Sequence, residues 1–199
     1  MSNMIRRSIP AIVGACAMTI LSSIATAQVA APPAGAPVAP PPPATIDIGK
    51  PAPDFTLPWA DSIGARQTPV RLSSLKGKVV VLAFYPGDRT SGCTAELSKF
   101  RDEYGKMFGS NTVVVPISVD SISSHASWAR DMKFPFALAS DPQLSVADQY
   151  GSHTPGKGYA SRTVFVIGKD GTILWRNLRF GALNEGAYTD LAAEVAKAQ

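Results

Sequence analysis

Residues 79–100, VVVLAFYPGDRTSGCTAELSKF, decide the fold prediction. They begin with VVVLAFY, an unbroken run of β-branched, apolar and aromatic residues that predicts a strand buried on both faces. A helix is predicted at residues 93–108, with Gly109 ending it. Its apolar residues recur at helical spacing, at Leu97, Phe100, Tyr104 and Met107. A buried strand leading directly into an amphipathic helix is typical of an α/β fold.

The alternation of strands and helices continues along the chain. Further strands are predicted at residues 112–119 and 136–140, and in a hairpin at residues 162–177 that turns at residues 169–171. Further helices are predicted to start at Ser121 or Ser123, at Ser140 or Asp141 with Pro142 in the first turn, and at Asn184. Residues 52–58 are predicted to be extended and residues 70–78 to be a loop. For residues 46–199 this order predicts a thioredoxin-like three-layer α/β fold, with a central mixed sheet flanked by helices.

The first 27 residues are predicted to be a signal peptide. Arg6 and Arg7 form a positive start, an apolar stretch follows, and ATAQ offers the small-x-small pattern for cleavage after Ala27. Three alternatives stay open: an uncleaved membrane anchor, a twin-arginine signal, and a lipoprotein signal in which VGAC would place a lipid on Cys16. Export to the periplasm is predicted, with lipid anchoring through Cys16 as the alternative.

Residues 28–45, QVAAPPAGAPVAPPPPAT, are almost entirely Ala, Pro and Gly. Such a segment has no apolar periodicity and cannot form a core. It is predicted to be a semi-rigid linker, so the folded domain is placed at residues 46–199.

The charge balance argues against nucleic-acid binding. The formal net charge of +4 comes from 19 basic and 15 acidic side chains, and without Arg6 and Arg7 the counts are 17 and 15, a net +2. A nearly neutral body has no basic surface for a phosphate backbone. The chain has two histidines and no cluster of cysteines or carboxylates around them, so no metal site and no cofactor is predicted.

Cys93 is the candidate reactive residue. The chain has two cysteines, and Cys16 either leaves with the signal peptide or is blocked by lipid, so the mature protein has one free thiol. Cys93 begins the predicted helix after a buried strand, where the free amides and the helix dipole favour a thiolate. It also begins the apolar stripe, which predicts an inward-facing sulfur at the floor of a pocket. Thr90 is within reach as a hydroxyl donor, and Pro86 is placed to shield the sulfur from water.

Residues 86–93, PGDRTSGC, fit the P-x-x-x-T-x-x-C motif of the peroxiredoxins. The longer run FYPGDRTSGCTAEL most resembles the bacterioferritin-comigratory, or Q-type, subgroup. The resemblance continues through PISVDSISSHASWA, SDPQLSVADQYG and SRTVFVIGKDG, and covers residues 46–199. It implies that Cys93 is the peroxidatic cysteine, with Pro86 and Thr90 as its motif partners. It also implies that Arg162 lies over the thiolate and that Glu96 helps to hold the arginine.

The resemblance implies a thiol-dependent reduction of peroxides. The thiolate attacks one peroxide oxygen and becomes a sulfenic acid, and fixed donors stabilise the charge on the departing oxygen. Many Q-type members carry a resolving cysteine five residues after the first, and here that position is Ser98. The implied partner is therefore an external thiol: a thioredoxin-like protein, a glutaredoxin-like protein or a small thiol. The segment before Arg162 is shorter than its family counterpart, so the oligomeric state is left open.

The residues that follow Cys93 argue against two other functions for a protein of this fold. A thiol–disulfide oxidoreductase needs C-x-x-C, and position 96 is glutamate. A copper carrier of this fold needs C-x-x-x-C, and position 97 is leucine. A thioredoxin-like binding module without peroxidase activity is the alternative from another class, and it predicts an inert Cys93. Structural roles are predicted for the remaining conspicuous residues, which are His125, His153, Trp59, Trp128 and Trp175. For His153, which lies in a glycine-rich loop, a role near the pocket is the less favoured alternative.

Overall fold

The computed structural model of the chain describes residues 46–199. The signal peptide predicted at residues 1–27, the linker at residues 28–45 and Cys16 lie outside the described residues. Within residues 46–199, no helix combines the length and the apolar character needed to cross a membrane.

A six-stranded mixed sheet forms the centre of the domain. The strands of the chain are β1 (Thr56–Leu57), β2 (Trp59–Ala60), β3 (Val70–Arg71), β4 (Val79–Phe84), β5 (Thr112–Ser118), β6 (Leu138–Ser140), β7 (Thr163–Ile167) and β8 (Ile173–Asn177). The sheet order is β2-β6-β5-β4-β7-β8, while β1 and β3 form a separate two-stranded ribbon. Strand β4 pairs parallel with β5 and antiparallel with β7, so it lies inside the sheet. All six of its residues are buried, as the apolar run predicts.

The two faces of the sheet bury separate clusters of apolar side chains. The helices are α1 (Ser91–Asp102), α2 (Tyr104–Phe108), α3 (Ile122–Met132), α4 (Ser145–Gln149) and α5 (Glu185–Ala198). Because neighbouring residues of a strand point to opposite faces, Val81 packs with residues of α1, α2, α3 and α5, whereas Leu82 packs with residues of α4 and the β1–β3 ribbon. The predicted three-layer thioredoxin-like fold, with its central mixed sheet flanked by helices, is confirmed.

Two element boundaries differ from the prediction. The single helix predicted at residues 93–108 starts two residues earlier and breaks at Glu103, whose φ of −109° and ψ of 18° leave the helical region. The apolar stripe still faces the core on both sides of the break. The loop predicted at residues 70–78 contains β3 and a 3-10 turn, Leu72–Leu75. A two-residue strand is too short to show a periodic pattern.

The helix predicted to start at Ser140 or Asp141 starts at Ser145 instead. The Asp141 carboxylate still caps it, since one of its oxygens accepts from the amides of Val146 and Ala147 at 3.0 and 2.9 Å. The predicted cap at Ser121 is confirmed, because its side chain accepts an amide hydrogen bond at the start of α3. Asn184, the predicted start of the last helix, caps α5 in the same way.

Candidate active site

Cys93 lies in the first turn of α1, nine residues after Phe84, where the central strand β4 ends. The first backbone bond of the helix runs from the Thr94 amide to the Thr90 carbonyl at 2.8 Å. The amides of residues 91–93 therefore have no acceptor within the helix, and their dipoles favour negative charge on the sulfur. Cys93 is free and fully enclosed, with 0% of its surface exposed. The sulfur that the sequence places at the floor of a pocket is therefore covered by protein atoms in this structure.

Arg162 reaches the sulfur from the start of β7, the strand that pairs with β4. Antiparallel pairing of β4 with β7 sets Phe84 opposite Thr163, so the residue just before β7 lies next to the end of β4. From there, the Arg162 Nη2 lies 3.3 Å from the Cys93 Sγ. A methyl group on Gly92 would lie 3.1 Å from this Nη2, so the glycine leaves room for the guanidinium. The predicted placement of Arg162 against Cys93 agrees with this geometry.

Glu96 lies on the next turn of α1 and shares the guanidinium. Its Oε2 accepts a hydrogen bond from Arg162 Nη1, and its side chain has 0% of its surface exposed. Its Oε1 is buried without a hydrogen-bond partner among the described residues. Burial raises the pKa of Glu96 to about 7, although the Arg162 charge acts in the opposite direction. The guanidinium thus lies between two groups that can each carry a negative charge.

Glu96→Gln is expected to change how stability depends on pH. Because the pKa of Glu96 is about 7 in the folded protein and its ordinary value is 4.5, the folded state holds this proton more tightly than the unfolded chain between those pH values. The wild-type free energy of unfolding should therefore fall relative to the variant as the pH rises through this range, by about 3 kcal/mol, and then level off.

Urea unfolding of both proteins at several pH values measures this difference. Glu194→Gln is the matched control, because Glu194 lies on the surface of α5 and pairs with Lys197 at 2.6 Å. A difference between wild type and Glu96→Gln that stays constant from acid to neutral pH would contradict a buried carboxyl with a raised pKa.

Thr90 and Pro86 flank the sulfur less directly than the two charged groups do. The Thr90 hydroxyl donates to the Gly87 carbonyl at 3.2 Å and does not cap the helix. In this structure its hydrogen is therefore directed at the loop and not at Cys93, which differs from the predicted donor position. Pro86 is half-buried just beyond the end of β4. The catalytic roles of both residues stay predictions.

Asp88 and His125 were missed as a pair by sequence reasoning. His125 is fully buried, as its predicted structural role requires, and its Nδ1 lies 3.0 Å from an oxygen of Asp88 in the loop before Cys93. His153 lies away from this cluster, between the Asp148 carboxylate and the Lys157 carbonyl at 2.7 Å each. Of the tryptophans, Trp128 is buried in the cluster that contains Val81, and Trp175 is partly buried against that cluster. Trp59 is partly buried against the cluster on the other face of the sheet. A buried hydrogen bond between a loop and a distant helix, such as that of Asp88 with His125, has no local sequence signal.

Comparison with known protein families assigns the chain to a family. The family model described as AhpC/TSA matches residues 48–176 of the chain. The chain belongs to the AhpC/TSA family. The resemblance to peroxiredoxins is confirmed, and the chain is a thiol-dependent peroxidase of this family.

Individual peroxiredoxins resemble the chain over most of the domain. A putative peroxiredoxin bcp from Coxiella burnetii is 39% identical over 135 residues, which is 65% of this chain and 86% of that protein. The crystal structure of peroxidoxin BcpB from Mycobacterium tuberculosis superposes with a TM-score of 0.65 at 32% identity, covering 76% of this chain and 97% of that one. A bacterioferritin comigratory protein from Xanthomonas campestris, studied for its alkyl peroxide reduction, superposes with a TM-score of 0.60 at 25% identity, covering 72% and 92%. The similarity to the bacterioferritin-comigratory subgroup agrees with the predicted resemblance.

Proposed function

We propose that this peroxiredoxin reduces peroxides with Cys93 alone and takes its reducing equivalents from an external thiol. The observation that carries the proposal is the position of Cys93: in the first turn of α1, with the Arg162 Nη2 at 3.3 Å from its sulfur. A thiolate at a helix start beside a guanidinium is stabilised by both, and the thiolate is the nucleophilic form of cysteine.

The first half-reaction oxidises the sulfur by two electrons. The Cys93 thiolate attacks one peroxide oxygen, a sulfur–oxygen bond forms and the oxygen–oxygen bond breaks. The departing oxygen takes a proton and leaves as water or as an alcohol, and Cys93 becomes a sulfenic acid. The Arg162 guanidinium and the unpaired amides of the first turn of α1 are positioned to stabilise the charge that moves onto the departing oxygen.

The second half-reaction needs a thiol from outside the mature domain. Ser98 stands five residues after Cys93, and Cys93 is the one cysteine in residues 46–199. An external thiol attacks the sulfenic sulfur, water leaves and a mixed disulfide forms, and a second thiol then releases Cys93 as a thiol. Because the Cys93 side chain is fully enclosed, a protein thiol can reach it only after the chain around it opens.

Hydrogen peroxide and organic hydroperoxides are the proposed substrates. The Xanthomonas campestris relative is described by its alkyl peroxide reduction, which supports the second class. In this chain, the Phe180 amide donates to the Arg162 carbonyl at 3.1 Å, so the segment around Phe180 passes beside the arginine. Leu178 and Leu183 of that segment are exposed apolar side chains, which suit an alkyl group.

The proposed setting is an exported antioxidant role. The support is the N-terminal sequence: a positive start at Arg6 and Arg7, an apolar stretch and a small-residue cleavage pattern ending at Ala27. The two alternatives are release into the periplasm and lipid anchoring through Cys16. Growing the cells that express the protein with a labelled lipid precursor distinguishes them, because only the lipid-anchored form takes up the label.

Peroxide consumption with and without added thiols tests the one-cysteine proposal. Without a thiol, the protein should consume about one equivalent of peroxide to form the sulfenic acid, and excess peroxide should drive Cys93 to the sulfinic form at the cost of a second equivalent. With dithiothreitol, thioredoxin or glutaredoxin, at least one donor should support continuous turnover. Continuous turnover without any donor would contradict the proposal.

Ser98→Cys is expected to restore an internal disulfide and to reduce over-oxidation of Cys93. The two positions face different sides of an intact helix, so the first turns of α1 must unwind for the bond to form. Peptide mapping of the oxidised variant detects the bond, and Ser98→Ala is the matched control without a thiol. If Ser98→Cys is over-oxidised as fast as Ser98→Ala, position 98 does not take the resolving role.

A further inference from the structure

A buried polar cluster lies behind the loop of residues 86–90, which joins the central strand to α1. Its centre is the Asp88 carboxylate, with 3% of the side chain exposed. One oxygen accepts from the Tyr85 hydroxyl at 2.8 Å, and the other accepts from the Ser124 hydroxyl at 2.7 Å. The His125 Nδ1 lies 3.1 and 3.0 Å from the two oxygens. The loop before Cys93 is therefore tied to the start of α3 through one side chain.

The His125 ring is held from both sides. Its Nδ1 faces the Asp88 carboxylate, and its Nε2 lies 3.2 Å from the Ala139 carbonyl. Although burial acts to raise the pKa of Asp88, the hydrogen bond and the charge of His125 hold it below its usual value. Both ring nitrogens thus face acceptors. Asp88 and His125 form a buried hydrogen-bonded pair, and the Tyr85 and Ser124 hydroxyls donate to the remaining lone pairs of the carboxylate.

The backbone of the loop is fixed at the same place. The Asp88 amide donates to an Asp120 oxygen at 2.8 Å, and the same oxygen accepts from the Ser118 hydroxyl at 2.8 Å. The next residue, Arg89, has a φ of +62°, in the left-handed region that non-glycine residues rarely adopt. Thr90, which follows, is the residue from which α1 starts. The contacts of Asp88 therefore hold a strained turn immediately before the helix that carries Cys93.

We propose that Asp88 and His125 are positioning residues for the peroxide reaction of Cys93. They touch neither the sulfur nor the peroxide. They hold the loop so that the first turn of α1 presents its free amides and Cys93 to the Arg162 guanidinium. A second tie from Arg89 to Asp131, at 2.6 Å, is exposed on both side chains and is the weaker of the two. This inference rests on the proposed role of Cys93 as the peroxidatic residue.

A double-mutant comparison tests the proposal. Asp88→Asn removes the buried carboxylate and His125→Gln removes the imidazole, each with little change in side-chain size, and Asp131→Asn removes only the exposed tie. The readouts are the rate constant for oxidation of Cys93 by hydrogen peroxide, the pH profile of Cys93 alkylation by iodoacetamide, and the melting temperature. We expect each buried variant, measured while folded, to react about tenfold more slowly than wild type, and the double variant to be no slower than the slower single variant. Asp131→Asn should stay within about twofold of wild type.

A merely structural pair would give a different pattern. In that case the melting temperature falls, while the peroxide rate constant and the alkylation profile of the folded variants stay at wild-type values, and the proposal is overturned. If neither buried variant folds, Ser124→Ala, which removes the 2.7 Å hydrogen bond that fixes the Asp88 carboxylate to α3, takes their role: slower oxidation supports the proposal and an unchanged rate overturns it. A wild-type protein that does not consume peroxide overturns the proposed function as well, whereas an active wild type with unaffected variants overturns this inference alone.

Discussion

Replacing Cys93 by serine is expected to abolish peroxide reduction while the fold remains intact. The serine hydroxyl is not ionised at neutral pH and is a far weaker nucleophile than a thiolate, so the first half-reaction has no substitute. The side chain is fully buried and nearly unchanged in size, so far-UV circular dichroism should match wild type. Peroxide consumption with a thiol donor measures the loss.

Ser98→Ala is the control for this result, because it removes a hydroxyl from the same helix without touching the sulfur. It should retain wild-type activity. Residual activity of Cys93→Ser above about a tenth of wild type, which corresponds to a loss of roughly 1.4 kcal/mol of barrier stabilisation, would remove Cys93 from the chemical step.

Arg162→Ala is expected to slow the reaction about 100-fold or more. The Arg162 Nη2 lies 3.3 Å from the Cys93 sulfur, and a fixed donor at a developing negative charge typically contributes about 3 kcal/mol to lowering the barrier. The variant also removes the positive charge that favours the thiolate, so alkylation of Cys93 should require a higher pH. Stopped-flow oxidation and the iodoacetamide pH profile measure the two effects separately.

Arg176→Ala is the matched control on the neighbouring strand, where Arg176 pairs with Asp47 at 3.1 Å and lies in no contact with Cys93. It should leave both readouts unchanged. If the alkylation profile of Arg162→Ala does not move, the arginine does not act on the thiolate.

The sheet and the helix that carry the site are predictable from sequence because their signals are local. The apolar run at β4 reflects six consecutive buried residues, and the stripe through Leu97 and Phe100 reflects one buried helix face. The contact of Arg162 with Cys93 spans 69 positions, and only the family resemblance indicated it.

The rest of the site depends on tertiary contacts that leave no pattern in the sequence. Asp88 and His125 are 37 positions apart, and nothing in the spacing of either residue indicates that they pair. The unpaired Oε1 of Glu96 follows from how α1 packs, and it is visible only once the burial of that side chain is known. The Thr90 hydroxyl illustrates the converse, since its motif position is predictable while its bond to the Gly87 carbonyl is not.

Intact-mass measurement of the unreduced protein after one equivalent of peroxide tests the one-cysteine chemistry most directly. The full chain with Cys16→Ser is used, so that Cys93 is the single thiol. We predict a monomer heavier by one oxygen atom, whose Cys93 is captured by a sulfenic-acid probe and returns to the starting mass when a thiol is added. A covalent dimer joined through two Cys93 sulfurs, or a chain that gains no oxygen while peroxide disappears, would contradict it.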